Sequence, residues 1–269
     1  MHFPLLLEQA LTMMHPSESH RNRNRLMQPI CRCWTPCGAR APVCHLMGRP
    51  MGRSAGVRPS GSCGRDDGDV KRSTAINRLA DVADALDRTG QWPGPKVVAA
   101  YVFGVLLDPV SELEAIQLAL VVDEPPEELA WLSRPARLEA LASLCRFDKL
   151  PLSWRWRPAA WTVWNHEISR AVRFWSSGEG RDEAVLRALA DARVDGLRFD
   201  QPGGPEQMAR QLTIERDVSR GHLAAVKAQF YDRDWRREHS RDGTHPEDHL
   251  WWATAGYLDL DDAIAALDG

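Results

Sequence analysis

Beyond residue 69 the chain has a single cysteine, Cys145, so no disulfide framework holds that part together, and nowhere does it carry the CxxC pair that builds a zinc knuckle. It has no apolar run near the roughly 18 residues that a membrane helix needs. VVAAYVFGVLL, residues 97–107, is far too short. The first residues, MHFPLLLEQALTMM, lack a basic stretch, and Glu8 interrupts their apolar run, so they read poorly as a signal peptide. Lysine is scarce, four residues against thirty arginines, a bias that points to a GC-rich genome. These absences leave a cytoplasmic protein with no membrane segment as the expectation.

What is present divides unequally. Residues 1–69 hold five of the six cysteines, nine arginines and five acidic groups, about +4. The remaining 25 basic and 32 acidic groups give the body a charge of −7. Such a body is a poor general nucleic-acid binder. Hydrophobic periodicity starts only at Val70, with VKRSTAINRLADVADAL. Residues 1–69 are therefore expected to be an upstream extension of the reading frame or a disordered basic arm. A metal module of Cys31, Cys33, Cys37, Cys44 and His45 is the third reading, and its spacing does not fit tetrahedral zinc.

From Val70 the pattern predicts a helix over 75–88, stopped by RTGQWPGP, and two strands over 97–103 and 115–122, each a continuous apolar run of the kind buried on both faces. A helix over 135–145, strands over 150–157 and 167–175, and a helix over 181–193 follow. Two longer helices, 205–235 and 246–267, close the chain, the second with capping-box spacing between Thr244 and Glu247. The expected fold is α/β: a small mixed sheet flanked by helices over residues 70–200, with a C-terminal antiparallel helical hairpin over 201–269 packed on it.

The stretch YVFGVLLDPVSELEAIQLALVVD, residues 101–123, resembles the signature of the minimal nucleotidyltransferase fold, in which a strand ends in Gly and a second strand carries two acids around one apolar residue. The resemblance spans some 30 residues. It implies that backbone N–H groups after Gly104 hold a triphosphate and that the acids, at i and i+2 on one strand face, grip divalent metal ions. Here Val105 replaces the small or hydroxyl residue, and Ile116 and Leu118 stand at the acid positions. In that register the metal chemistry is gone. An earlier register places Glu112 and Glu114 at i and i+2 and restores a Mg-dependent transferase as the alternative. The phrases VVDEPPEELAWLSRP, VWNHEISR and GYLDLDDAIAAL are similar to an uncharacterised actinobacterial protein family with no assigned activity, over most of the chain from Val70.

Other candidates lie in WRWRPAAWTVWNHEISR. Trp154, Arg155, Trp156, Arg157, Trp164 and Asn165 read as core packing, as a protein-interaction surface where exposed, or as a base-stacking, phosphate-holding platform. His166 beside Glu167 is a candidate general base, though consecutive strand residues face apart, which favours a structural histidine. His245 and His249, at i and i+4, share a helix face as metal ligands do, without a third ligand. The sequence thus points to a non-catalytic binding or regulatory protein on a degenerate nucleotidyltransferase-like core, needing no cofactor. Its partner would be a protein or a nucleotide. The alternatives are the Glu112/Glu114 enzyme and a purely structural interaction module.

Overall fold

The computed structural model describes residues 70–109, 112–240 and 244–268; the expectations for residues 1–69 lie outside them. The element order is β1 (Val70–Lys71), α1 (Arg72–Arg88), β2 (Val97–Phe103), β3 (Glu112–Leu113), β4 (Ile116–Val122), α2 (Ala136–Leu144), β5 (Leu152–Pro158), β6 (Val172–Ser176), β7 (Gly180–Arg181), α3 (Glu183–Ala190), α4 (Pro205–Gln229), α5 (Arg233–Glu238) and α6 (Pro246–Asp268). Five strands form one mixed sheet in the order β5-β4-β2-β6-β7. Only β4 and β5 run parallel, and the connection between them passes through α2, as a parallel pair requires. A separate two-stranded ribbon pairs β1 with β3.

The sheet is covered on both faces, which explains the continuous apolar runs of its central strands. Ile116, Leu118, Leu120 and Val122 of β4 face one side and meet Leu79, Val82 and Leu86 of α1, Leu138 and Leu141 of α2, and Leu186 and Leu189 of α3. Ala119 and Val121 face the other side, where Phe103, Trp131, Trp164 and Ile168 close against Leu212 of α4 and Leu260 of α6. The result is helices, sheet and helical hairpin in three layers. Full burial of each such side chain contributes about 1.5–3 kcal/mol.

Several boundaries differ from the sequence reading for local reasons. The long helix expected to Trp235 stops at Gln229, and Asp232 starts α5 by accepting from the Asp234 and Trp235 amides at 3.0 and 2.8 Å. The strand expected from Glu167 begins at Val172. Before it the chain loops, with Asn165 Oδ1 accepting from the Glu167 and Ile168 amides at 3.0 and 2.9 Å. At the start of α6, Glu247 turns to Arg236 at 2.8 Å, while Asp248 accepts from the His245 amide at 2.8 Å.

The hairpin approaches the backbone at Trp131 closely at Gly256 in α6. A Cβ built there lies 2.0 Å from the Trp131 carbonyl oxygen, which belongs to the backbone and has no rotamer with which to yield. Gly to Ala inside a helix ordinarily stabilises by about 1 kcal/mol. Gly256→Ala is expected to do the reverse, costing about 1–3 kcal/mol through overpacking and lowering Tm by several degrees, as differential scanning calorimetry would show.

Candidate functional site

The strand pair singled out by the sequence forms the middle of the sheet. β2 ends at Phe103, and Gly104 turns the chain with φ +69°, the left-handed region that glycine enters without a Cβ penalty. Gln117, opposite Phe103 in the register, lies over this turn. A Cβ on Gly104 would come within 1.7 Å of the Gln117 Oε1, and that oxygen accepts from the Val105 N–H at 3.3 Å. Thus the amide expected to meet a phosphate is held by a side chain of the protein itself. Ile116 and Leu118 project from the other face of β4 and are fully buried against the helices. Glu112 lies opposite Lys71 in the separate ribbon, and Glu114, just after it, is exposed; neither position belongs to the five-stranded sheet. Among the described residues, no three His, Cys, Asp or Glu side chains converge to hold a metal ion.

The Trp and Arg alternation of β5 sends its members to opposite layers. Trp156 is buried on the helix side, where Trp154, half-buried, meets Phe147 edge to face at 5.8 Å between centroids. Arg155 and Arg157 point to the hairpin side. Arg157 is 1 % exposed and its fork meets Glu215 of α4, 0 % exposed, through Nη1–Oε2 at 2.7 Å and Nη2–Oε1 at 2.5 Å. Its guanidinium also donates to the Thr162 carbonyl at 2.9 Å and lies 5.7 and 5.6 Å from the ring centroids of Trp131 and Trp161. Gln211 and Asn165 donate to the remaining lone pairs of Glu215 at 2.9 and 3.2 Å. Trp156, Arg157, Trp164 and Asn165 are all buried, so of the six residues weighed as an interaction surface only Trp154 and Arg155 reach solvent, and Arg155 is paired with Glu167 at 2.8 Å.

Asn165, His166 and Glu167 each turn to a different element. Asn165 goes inward to Glu215, Glu167 to Arg155, and His166 Nε2 meets Asp259 Oδ2 of α6 at 2.8 Å. The same carboxylate accepts the Trp131 indole N–H at 2.6 Å. Burial acts to raise the Asp259 pKa, but the hydrogen bonds from His166 and Trp131 outweigh it and hold the carboxyl below its usual value. Chemically the pair can orient an imidazole. Ser219 of α4 is buried and accepts from the Trp131 amide at 3.2 Å, so the arrangement clasps α4 and α6 to the loops that carry Trp131 and His166. Trp131, Glu215 and Asp259 went unremarked in the sequence. A usable signal existed for one of them: Gln211, Glu215 and Ser219 stand at i, i+4 and i+8, a polar line on the buried face of α4.

Removing one partner of a buried pair strands the other. Arg157→Leu is expected to lower stability by about 3–5 kcal/mol in urea unfolding, and adding Glu215→Leu should recover much of that loss.

His249 does not pair with His245. Its ring meets His239 edge to face at 4.7 Å and Trp252 at 5.2 Å, while Trp235 stacks on His239 at 4.1 Å. Burial, with His239 adding to it, pushes the His249 pKa down, and burial lowers His222 against the pull of Glu128. A histidine with a depressed folded pKa binds fewer protons folded than unfolded, so its contribution is complete above the unfolded value near 6.5 and lost as pH falls below it. Stability should therefore decline from about pH 6.5 downward. His249→Phe is expected to flatten that decline in urea titrations run across pH.

The chain belongs to the family described as a domain of unknown function (DUF7711), whose match covers residues 70–266. No curated protein matches the chain, and no solved structure does. No described helix is long and apolar enough to cross a membrane.

Proposed function

We propose that this chain is a non-catalytic cytoplasmic binding protein, built on a strand pair similar to that of nucleotidyltransferases whose reactive positions have been filled. The observation that carries the reading is Gln117. Its amide oxygen sits over Gly104 and accepts from the Val105 N–H, where the resemblance would put a phosphate. Ile116 and Leu118, at the acid positions, contribute to the core instead. The arginines nearest to a phosphate-holding role are paired internally, Arg157 with Glu215 and Arg155 with Glu167. Cys145, the lone free thiol of the described residues, is buried and pushed up to about 11 by desolvation, which suits an inert core residue in a reducing compartment. The partner favoured by this reading is a protein, since the body's charge of −7 opposes nucleic acid.

A thermal-shift series of the full chain with nucleoside triphosphates, each with and without Mg²⁺ or Mn²⁺, tests it. A ligand at 100 times its Kd stabilises by about 2.7 kcal/mol, a rise of several degrees for a domain of this size. No metal-dependent rise is expected. One that disappears when Glu112→Gln and Glu114→Gln are combined would overturn the proposal in favour of a transferase. A rise independent of metal would name a nucleotide as the ligand and leave the non-catalytic reading in place.

A further inference from the structure

The short helix α5 buries none of its six residues, and neither apolar core includes any of them. Its place on the hairpin rests on side-chain contacts alone, the mark of a segment that opens before the rest. Trp235 stacks on His239 at the end of α5, with centroids 4.1 Å apart. His239 meets His249 of α6 edge to face at 4.7 Å, and Trp252 follows at 5.2 Å from His249. The row thus runs Trp, His, His, Trp from α5 to α6, and its two central rings are the titratable ones. Phe230, just after α4, closes the near end 6.4 Å from Trp235. An ion pair from Arg236 to Glu247 at 2.8 Å is a second tie between the two helices.

Neutral rings packed in this way attract one another, whereas two imidazolium cations in contact repel and draw water. His239 Nδ1 lies 2.9 Å from the Trp235 carbonyl, which only accepts, so that nitrogen keeps its proton and Nε2 gains the next one. The charges acting on His249 are His239 from α5, His222 from α4 and Asp248 from its own helix. Asp248 is already turned to the His245 amide at 2.8 Å, and Glu128, from the loop before α2, pulls on His222. Arg134 adds a fixed cation 5.3 Å from the Trp252 ring centroid. Burial opposes a proton on His249, and the His239 and His222 charges add to that opposition. The second tie does not share this sensitivity: the bond from Arg236 holds the Glu247 carboxyl below its usual range, so it stays charged in mild acid.

We infer that the row Trp235, His239, His249 and Trp252 is a pH-sensitive latch, which holds α5 on α6 while its imidazoles are neutral and releases the helix when both are protonated, uncovering Trp235 and Trp252. The rest of the fold stays closed, because neither core nor the Arg157–Glu215 pair contains any of these groups. This device goes beyond the binding role proposed above and does not depend on it.

Hydroxyl-radical footprinting of the full chain, read residue by residue by mass spectrometry, tests the latch at about pH 7.5 and about pH 5.5, a unit either side of the ordinary histidine value near 6.5. Trp251, 68 % exposed with the latch closed, is the internal reference beside Trp252. Oxidation of Trp235 and Trp252 relative to Trp251 should rise about threefold on acidification, while Trp131 and Trp156, buried against the sheet, stay protected. His249→Phe keeps a ring in the row without a titratable nitrogen and should remove the rise. His239→Phe should do the same, and circular dichroism of each variant at neutral pH confirms folding. An unchanged ratio in the wild type overturns the inference, as does a rise that survives both substitutions. A parallel rise at Trp131 and Trp156 also overturns it, since acid would then be loosening the whole fold rather than one helix.

Discussion

Arg157 and Glu215 join the two halves of this fold through charge buried from water on all sides. Arg157 comes from the last turn of the edge strand β5, and Glu215 from the middle of α4, 58 residues later. Neither charge is tolerable alone in a low-dielectric interior. Together they are supported by Gln211, Asn165, the Thr162 carbonyl and two indole rings. The consequence is one of specificity more than of net stability. A purely apolar contact between hairpin and sheet would tolerate sliding by a turn, whereas a bidentate fork with every lone pair assigned accepts one register. The position of α6 then follows, since it packs along α4 and is clasped to the loops through Asp259, with a close approach to the Trp131 carbonyl at Gly256.

The sheet and the first helices were readable because their physics is local. β2 and β4 are seven-residue apolar runs, and α1 repeats its apolar positions over four turns. The failures lie where distant residues decide. Nothing between Phe230 and Asp232 is a strong helix breaker, so the pattern runs through to Trp235, and the cap that starts a new helix at Asp232 is set by its side chain turning to the Asp234 and Trp235 amides. The segment NHEISR alternates like a strand, yet Asn165 spends its side chain on two following amides and on Glu215, which bends it into a loop. The face of α4 that is buried is partly polar, so amphipathicity points the wrong way there: a sequence can show that Gln211, Glu215 and Ser219 align, but not that an arginine on β5 waits for them.

The Trp and Arg stretch shows the same limit in another form. Alternation along β5 correctly separates Trp154 and Trp156 from Arg155 and Arg157, but both faces of the strand are covered, so neither set becomes a surface. Exposure is a property of the layers above and below: on one side α2 and Phe147, close by in sequence, cover Trp154 and Trp156, and on the other α4, 58 residues on at Glu215, covers Arg157.

A catalytic centre needs polar groups with capacity left over, because only interactions that strengthen on the way to the transition state accelerate a reaction. In the interior of this protein most of the groups around Arg157 are committed to one another, while Arg157 Nε, His166 Nδ1 and Ser133 Oγ are buried without a hydrogen-bond partner. The two Arg157 Nη groups are held by a carboxylate, Asn165 and Gln211 are committed to the same acid, Ser219 and Asp259 hold Trp131, and the amide after Gly104 is taken by Gln117. Recruiting any of them for a substrate would first break a buried contact at a cost of a few kcal/mol. The same contacts fix how the helical hairpin sits on the sheet, with Arg157 and Glu215 at the centre and the Trp131–Asp259–His166 contacts at its side.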